Sequence, residues 1–538
     1  METLLLAPSE ESLGKAARLL LEGQVVGIPT ETVYGLAADA FNPQAVEKIF
    51  RAKGRPQDNP LIVHISDISQ LELVAERVPK AALKLAAAFW PGPLTMIMKK
   101  SQNIPDIVSA GLDTVGIRMP LHKTAMEIIS KSRPLAAPSA NTSGKPSPTE
   151  AMHVFEDMHG KIPLIIDGGA CSVGVESTVV DMTGEIPRVL RPGAVTEEMI
   201  AEVLGAAETD EATKKGLAKG QTARSPGMKY RHYAPKAPVV LYEGAPEDTF
   251  KAISENALPQ EGVICFDEYI GYFDDMQALS LGPSWDHHSH DRHVFSHLRH
   301  FDSTDVAKIH VQCPREFGGG EGSANRLRRA AGFNCVICSS KTVAGITGPS
   351  GGGKSAFCRN ILSLFPGNIL YIDADEVYHR LLSDPLSGLP QKILESFPEA
   401  RQDGRLQRGL LAQVVFRSKA RLELLNKIAH KAVLEEIRRL MEESSRPVVL
   451  LDVPLLFESG LDRICTITAG IISEKEQRLK RVLSRDNISE SDALMRFENQ
   501  PDAAFYEQRC DIIVKNDGDE DGLLGKSKAF AEKYLTVK

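Results

Sequence analysis

Short apolar runs and amphipathic stretches follow one another along the chain, with turn residues between them. VVGIPT, PLIVHIS, LTMIMKK and STVVDMT predict strands, and PQAVEKIFRAK, with apolar positions at helical spacing, predicts a helix. This mixed pattern occupies residues 1–205. A polar segment follows, AAETDEATKKGLAKGQTARSPGMKYRHYAPKAP, whose Gly, Lys, Thr and Pro content marks a linker at 206–237. A smaller α/β block spans 238–338, and a third block, alternating strands with helices, runs over 341–538. No internal repeat stands out. The expected fold is an α/β multidomain protein.

Length agrees with that division, since 538 residues suit about three or four domains. A hydrophobic content of 42% supplies ample apolar material for their cores. The net charge of −8 argues against a general nucleic-acid coat protein but leaves room for local basic sites. METLLLAPSEES lacks a basic n-region, and the longest apolar candidate, PVVLLDVPLLF, is broken by Asp and Pro. A cytoplasmic protein without membrane association is expected. Eight scattered cysteines make no disulfide framework, and the lone C-x-x-C, Cys335 and Cys338, reads as a chance spacing or a pair of buried thiols ahead of a metal site. The His-rich stretch from His287 to His300 could bind metal, but its second half reads as an amphipathic helix, so a solvated loop plus helix is expected.

GPSGGGKS fits G-x-x-x-x-G-K-[ST], with Gly348, Gly351, Gly352, Gly353, Lys354 and Ser355. Glycines let successive amides curl around phosphate oxygens, the lysine reaches the β- and γ-phosphates, and the serine hydroxyl can ligate Mg²⁺. The strand-like KTVAGIT before it and the helix-like SAFCRNILSLF after it supply the context that ATP or GTP binding requires. NILYIDADEVYHRLL then delivers Asp373 and Asp375 at a strand end, where a carboxylate takes a proton, holds Mg²⁺ or caps the next helix. PVVLLDVPLLFE ends a second strand at Asp452, a candidate metal-side carboxylate. Arg478, Arg481 and Arg485 share one helix face, either solvated or part of a lid over phosphates.

This block resembles dephospho-CoA kinases, on the phosphate loop, IDADEVYHRLL, DGRLQRGLLAQVVF (Gly404, Leu406, Arg408, Phe416), LLNKIAHK, VPLLFESG, QRLKRVLSRDNIS, Gln500 and CDIIVKND. The resemblance implies a P-loop NTPase-type parallel α/β domain that uses ATP and Mg²⁺. Lys354 and Asp375 would be catalytic, Asp375 activating the ribose hydroxyl of dephospho-CoA, with Arg408 and His430 on the acceptor side. The glycine loop, Arg481 and Arg485 would hold ATP, and Ser355 the magnesium. Ala356 stands where a second hydroxyl is usual, and Lys431 follows His430 where proline is usual.

In the first block, IPTETVYGLAA leads a strand into a turn with Thr30 and Thr32 beside Tyr34 and Gly35. Such hydroxyls suit a small polar ligand and equally cap helices. Lys53 and Arg55 lie in a Gly/Pro loop and His64 on a strand. Arg118 falls inside the apolar strand VGIRMP, and a buried guanidinium must meet a carboxylate, of the protein or of a ligand. PLAAPSANTSGKPSPT offers Ser139, Asn141, Ser143 and Ser147 as donors, and later stretches add Ser177 and Arg191.

PTETVYGLAADA, KGRPQDNPLIVHI, APSANTSGKPSPT and VESTVVDMTGEIPRVLRPGAV together resemble YrdC-type threonylcarbamoyl-AMP synthases, and SPGMKYRHYAP and ANRLRRAAG resemble their two-domain form. The resemblance implies a YrdC-like α/β domain, then a small Rossmann-like α/β domain. It implies a reaction of L-threonine, bicarbonate and ATP that gives threonylcarbamoyl-AMP and pyrophosphate, the intermediate going to a tRNA threonylcarbamoyl transferase. Thr32, His64, Arg118 and Ser177 would surround threonine. Lys53, Arg55, Asn59, Ser139, Asn141, Ser147, Arg191 and His232 would hold ATP, with Tyr230, Arg231 and His232 folding over the mouth. The rival expectation is a non-catalytic RNA-binding module joined to another small-molecule or nucleotide kinase. Stable nucleic-acid binding is not required by the leading one.

Overall fold

The apolar runs pair into three large sheets. The structure, a computed structural model, describes residues 2–210, 213, 233–415, 418–486, 488–498 and 500–535. The expected α/β character is observed throughout. The chain divides into two compact units: residues up to Glu243 with Ala252–Val336, and Gly244–Lys251 with Ile337 onward. No described helix is long and apolar enough to cross a membrane.

In the first unit an eleven-stranded mixed sheet carries Leu135–Ala136, Ile62–His64, Thr114–Arg118, Leu94–Lys99 and Thr178–Asp181 side by side near its middle. Core residues cover both faces, Leu36, Val46 and Ile49 in one cluster and Leu20, Val26 and Ile128 in another. Burial on two faces explains why these strands read as continuous apolar runs. Ile62–His64 and Thr114–Arg118 run parallel with His64 opposite Arg118, which sets the two side chains next to each other.

Glu208–Thr209 pairs in parallel with the strand Arg188–Arg191, so the first residues of the expected linker continue the sheet. Main-chain pairing at a sheet edge tolerates polar side chains, which is why composition hid it. Residues 211–212 and 214–232 of that segment, with Tyr230, Arg231 and His232, lie outside the described residues, as does Phe416.

A second sheet of the same unit sets Gln277–Ser280, Gly262–Cys265, Ile309–Gln312 and Val239–Glu243 in parallel. The His-rich stretch forms one helix, His287–Asp302, and the expected solvated loop is absent from it. Asp286 caps that helix by accepting from the Ser289 amide, and His290, Val294, Leu298 and Phe301 are buried along one side. Histidine, serine and aspartate are weak helix formers, so the cap and burial of this stripe together fix the first turn.

The second unit holds five parallel strands in the order Ile369–Asp373, Val448–Asp452, Thr342–Thr347, Ile467–Ile472, Ile512–Lys515. Asp373 stands opposite Asp452 at the carboxyl ends, the edge where parallel sheets receive ligands. Helix Lys419–Glu443 runs unbroken through His430 and Lys431, as the absence of proline at 431 allows.

Candidate active sites

In the first unit Arg118 is buried at its strand end. Its Nη2 lies 2.7 Å from a Glu31 carboxylate oxygen, Nη1 donates to Thr32 Oγ1 at 2.8 Å, and Nε donates to the Gly92 carbonyl at 3.2 Å. The carboxylate that a buried guanidinium demands is therefore supplied by the protein. The Thr30 hydroxyl accepts from the Thr32 and Val33 amides and donates to the Val33 carbonyl, a turn that aims Glu31 and Thr32 inward. Glu31 escaped the sequence reading, although its place between two threonines was the available signal.

Beside Arg118, burial and then the neighbouring guanidinium push the His64 imidazole down to about 3, so it is neutral. Arg191 donates from Nε to the Ser177 carbonyl and from Nη2 to its hydroxyl, which is also hydrogen-bonded to Thr95 Oγ1 at 2.8 Å. Arg55 donates to the Asn59 and Pro60 carbonyls. Burial lowers both Arg55 and Arg191 to about 10, values at which they keep their charge near neutrality. Glu176, which sequence reasoning also missed, accepts from the Ser147 hydroxyl and from Arg326 Nε. Burial pushes its carboxyl up, but Arg326 and Arg191 outweigh that and hold it at about 2.

One pocket gathers Thr32, Arg55, His64, Arg118, Ser139, Asn141, Ser177 and Arg191 with Glu176 and Tyr233. Its cavity is about 60 Å³, a narrow space between these side chains. Lys53, Asn59 and Ser147 are not on its wall. The Lys53 ammonium is buried beneath the Ser139–Asn141 segment, donating to the Ser139 and Asn141 carbonyls, and burial draws its pKa well below the ordinary lysine value. Lys53 thus shapes the wall from behind.

In the second unit a cavity of about 710 Å³ is lined by Gly348, Gly351, Gly353, Lys354, Ser355, Asp373, Asp375, Asp452, Arg481 and Arg485. Gly348 has φ 140 and Gly353 φ 104, and a Cβ at either would collide, with the Ile471 carbonyl oxygen and the Asn516 amide respectively. Gly352, in the same loop but not on the cavity lining, accepts at its carbonyl from Asn516 Nδ2 at 2.8 Å. Lys354 donates to the Gly348 carbonyl at 2.7 Å, and burial of its ammonium lowers its pKa against the pull of Asp452 and Asp375.

The two aspartates of IDAD divide their work. Asp373 caps helix Ala374–Ser383 by accepting from the Asp375 and Glu376 amides. Asp375 keeps its carboxylate free for the cavity, and withdrawal of water around it, then the charge of Asp373, raises its pKa. Burial pushes Asp452 up to about 6. The three expected arginines do not share one fate. Arg478 stacks 4.2 Å over the Phe497 ring and donates to the Ser350 carbonyl, Arg481 donates to the Gly351 and Asn516 carbonyls, and Arg485 pairs with Asp486. Arg408 donates to the Ser383 hydroxyl, and it and His430 stand outside this lining. Arg359, on helix Lys354–Leu364, and Arg496, on helix Glu490–Glu498, also line the cavity without having been singled out. Among the described residues, neither Cys335 nor the histidines of helix His287–Asp302 belong to a metal-ligand cluster.

Three families match in order: one described as Telomere recombination over residues 18–193, the Threonylcarbamoyl-AMP synthase C-terminal domain over 195–332, and Dephospho-CoA kinase over 342–521. Threonylcarbamoyl-AMP synthase of Pyrococcus abyssi is 46% identical over 324 residues, 60% of this chain and 94% of that one. The Bacillus subtilis threonylcarbamoyl-AMP synthase is 45% identical over 336 residues, 62% of this chain and 96% of that one. The crystal structure of P. abyssi Sua5 complexed with L-threonine superposes with a TM-score of 0.58 at 43% identity, covering 63% of this chain and 99% of that one. Because that likeness takes in nearly the whole length of those relatives, and the phosphate-loop unit follows it in the same polypeptide, the chain belongs to the threonylcarbamoyl-AMP synthase family and carries a dephospho-CoA kinase domain fused behind it.

Proposed function

We infer that the chain is a bifunctional ATP-using enzyme, making threonylcarbamoyl-AMP in its first unit and phosphorylating dephospho-CoA in its second. In the first, Thr32, His64, Arg118 and Ser177 receive threonine, and Arg55, Ser139, Asn141 and Arg191 receive the triphosphate. The carbamate oxygen formed from threonine and bicarbonate attacks the α-phosphorus, and pyrophosphate leaves. No side-chain nucleophile is required: the pocket aligns two reactants and neutralises developing charge with buried cations. The intermediate then passes to a tRNA-modifying transferase. Placement of these cations inside a pocket, and not across an open face, suits a small anion better than an RNA backbone.

In the second unit the loop amides and Lys354 hold the triphosphate, Asp375 takes the proton of the ribose hydroxyl, and Arg481 and Arg485 meet the transferring phosphate. The hard oxygen donors Ser355, Asp373, Asp375 and Asp452 on one cavity wall suit Mg²⁺, with Ser355 as its protein ligand; the ion would neutralise phosphate charge. Arg408 and His430 are assigned to the acceptor side, beyond the phosphate cavity.

The observation that carries the reading is the convergence of the threonine-side and ATP-side residues on one pocket wall, with a complete phosphate loop and a free Asp375 in the other unit. Its test is one purified sample assayed for threonine- and bicarbonate-dependent pyrophosphate release and for dephospho-CoA-dependent ADP release. Activity in only one assay refutes the bifunctional reading.

A further inference from the structure

Helix Glu321–Ala330 lies in the C-terminal part of the synthase unit, yet its Arg326 side chain has no exposed surface and reaches the first pocket's wall. Nε donates to Glu176 Oε2 at 2.8 Å, Nη2 to the Glu176 carbonyl at 3.0 Å, and Nη1 to the Pro192 carbonyl at 2.7 Å. One fork thus grips both the side chain and the main chain of the residue that precedes Ser177. Arg299, on helix His287–Asp302, acts on the neighbouring loop, donating to the Pro146 carbonyl at 2.7 Å and to Asp157 at 2.8 Å. The Ser147 hydroxyl then closes the circuit by donating to Glu176.

We propose that Arg326 is a positioning residue for the synthase reaction, acting through Glu176 to fix Ser177 and the Ser147 loop against the bound substrates. This rests on the synthase reading of the pocket given above. A buried ion pair is poor value as pure stabilisation, because desolvation offsets most of its Coulomb gain. A planar fork that satisfies main-chain and side-chain acceptors together is instead a device for geometry. It gives the second domain a physical part in chemistry performed by the first.

The test compares the wild type with Arg326→Gln and Arg326→Lys in the full chain, measuring threonine-dependent pyrophosphate release from pH 5 to 9. For Arg326→Gln, kcat should fall by about 10²-fold, the scale of a 1 Å misplacement, while KM for threonine and ATP stays within about threefold, as loss of a transition-state interaction demands. Glu176 also faces Arg191, Arg329, Lys53 and Tyr233, and Asp291 faces the same guanidinium. Without Arg326 the Glu176 carboxyl protonates at higher pH, so an acid limb absent from the wild type should appear. Arg326→Lys, keeping charge without the fork, should suppress that limb but leave kcat about tenfold low. A wild-type kcat and pH profile in Arg326→Gln, whatever its thermal midpoint, overturns the proposal. If Arg326→Gln does not fold, a wild-type kcat in Arg326→Lys overturns it instead. A wild type that releases no pyrophosphate overturns the reading of the pocket itself, and the inference with it.

Discussion

Arg118 and Glu31 form an ion pair of 2.7 Å in which neither side chain is more than 4% exposed. Removing one partner leaves the other charge largely withdrawn from solvent and without its counter-ion. Glu31→Ala should therefore destabilise the first unit by about 3–5 kcal/mol and raise the KM for threonine, because Arg118 and Thr32 lose their common anchor. Denaturant unfolding followed by synthase activity measures both. The double variant with Arg118→Ala should lose clearly less than the sum of the two, and strict additivity would show that the pair is not coupled.

Lys354→Ala should abolish CoA formation and leave threonine-dependent pyrophosphate release at the wild-type level, while Arg118→Ala does the opposite. Each activity acts as the folding control for the other. Loss of both activities in either variant would mean that the two sites depend on each other.

The raised pKa of Asp375 predicts a kinase rate that falls as acid is added, with a limb above the ordinary aspartate value of about 3.9. The sign follows from the proposed role: the base must be ionised, so protonation on the acid side removes it. Burial also pushes Asp452, in the same cavity, up to about 6, so its protonation adds to that limb. Asp375→Asn should cost about 10²–10⁴-fold in kcat and flatten what remains. An unchanged acid limb in that variant would assign the titration elsewhere.

Asp452 also carries a stability prediction. Its folded pKa of about 6 exceeds the ordinary value, so the folded state binds the extra proton between about 4 and 6, and stability falls as pH rises through that window. Asp452→Asn should consequently stabilise the second unit at pH 7, by an amount on the order of 2 kcal/mol, while weakening its kinase activity. A lower thermal midpoint for the variant at pH 7 would contradict the strained carboxylate.

Local features of the sequence determined a great deal. Apolar runs and helical spacing gave the α/β class, because side-chain period and turn residues are written in neighbouring positions. GPSGGGKS placed the phosphate loop for the same reason: its backbone geometry depends on glycines within the loop itself. Hydrophobic spacing also implied that Arg118 needed a carboxylate, but not which one.

Tertiary structure alone decided the rest, since the contacts concerned join residues far apart in the chain. It set Glu31 beside Arg118, and placed Lys53 behind the pocket wall, under the Ser139–Asn141 loop. It divided Asp373 and Asp375 into a helix cap and a free carboxylate, and turned a His-rich stretch into a helix with a buried side. Arg326 and Glu176, 150 positions apart, meet only because the second domain folds onto the first. Charge and burial of that kind are properties of packing, and no window of sequence contains them.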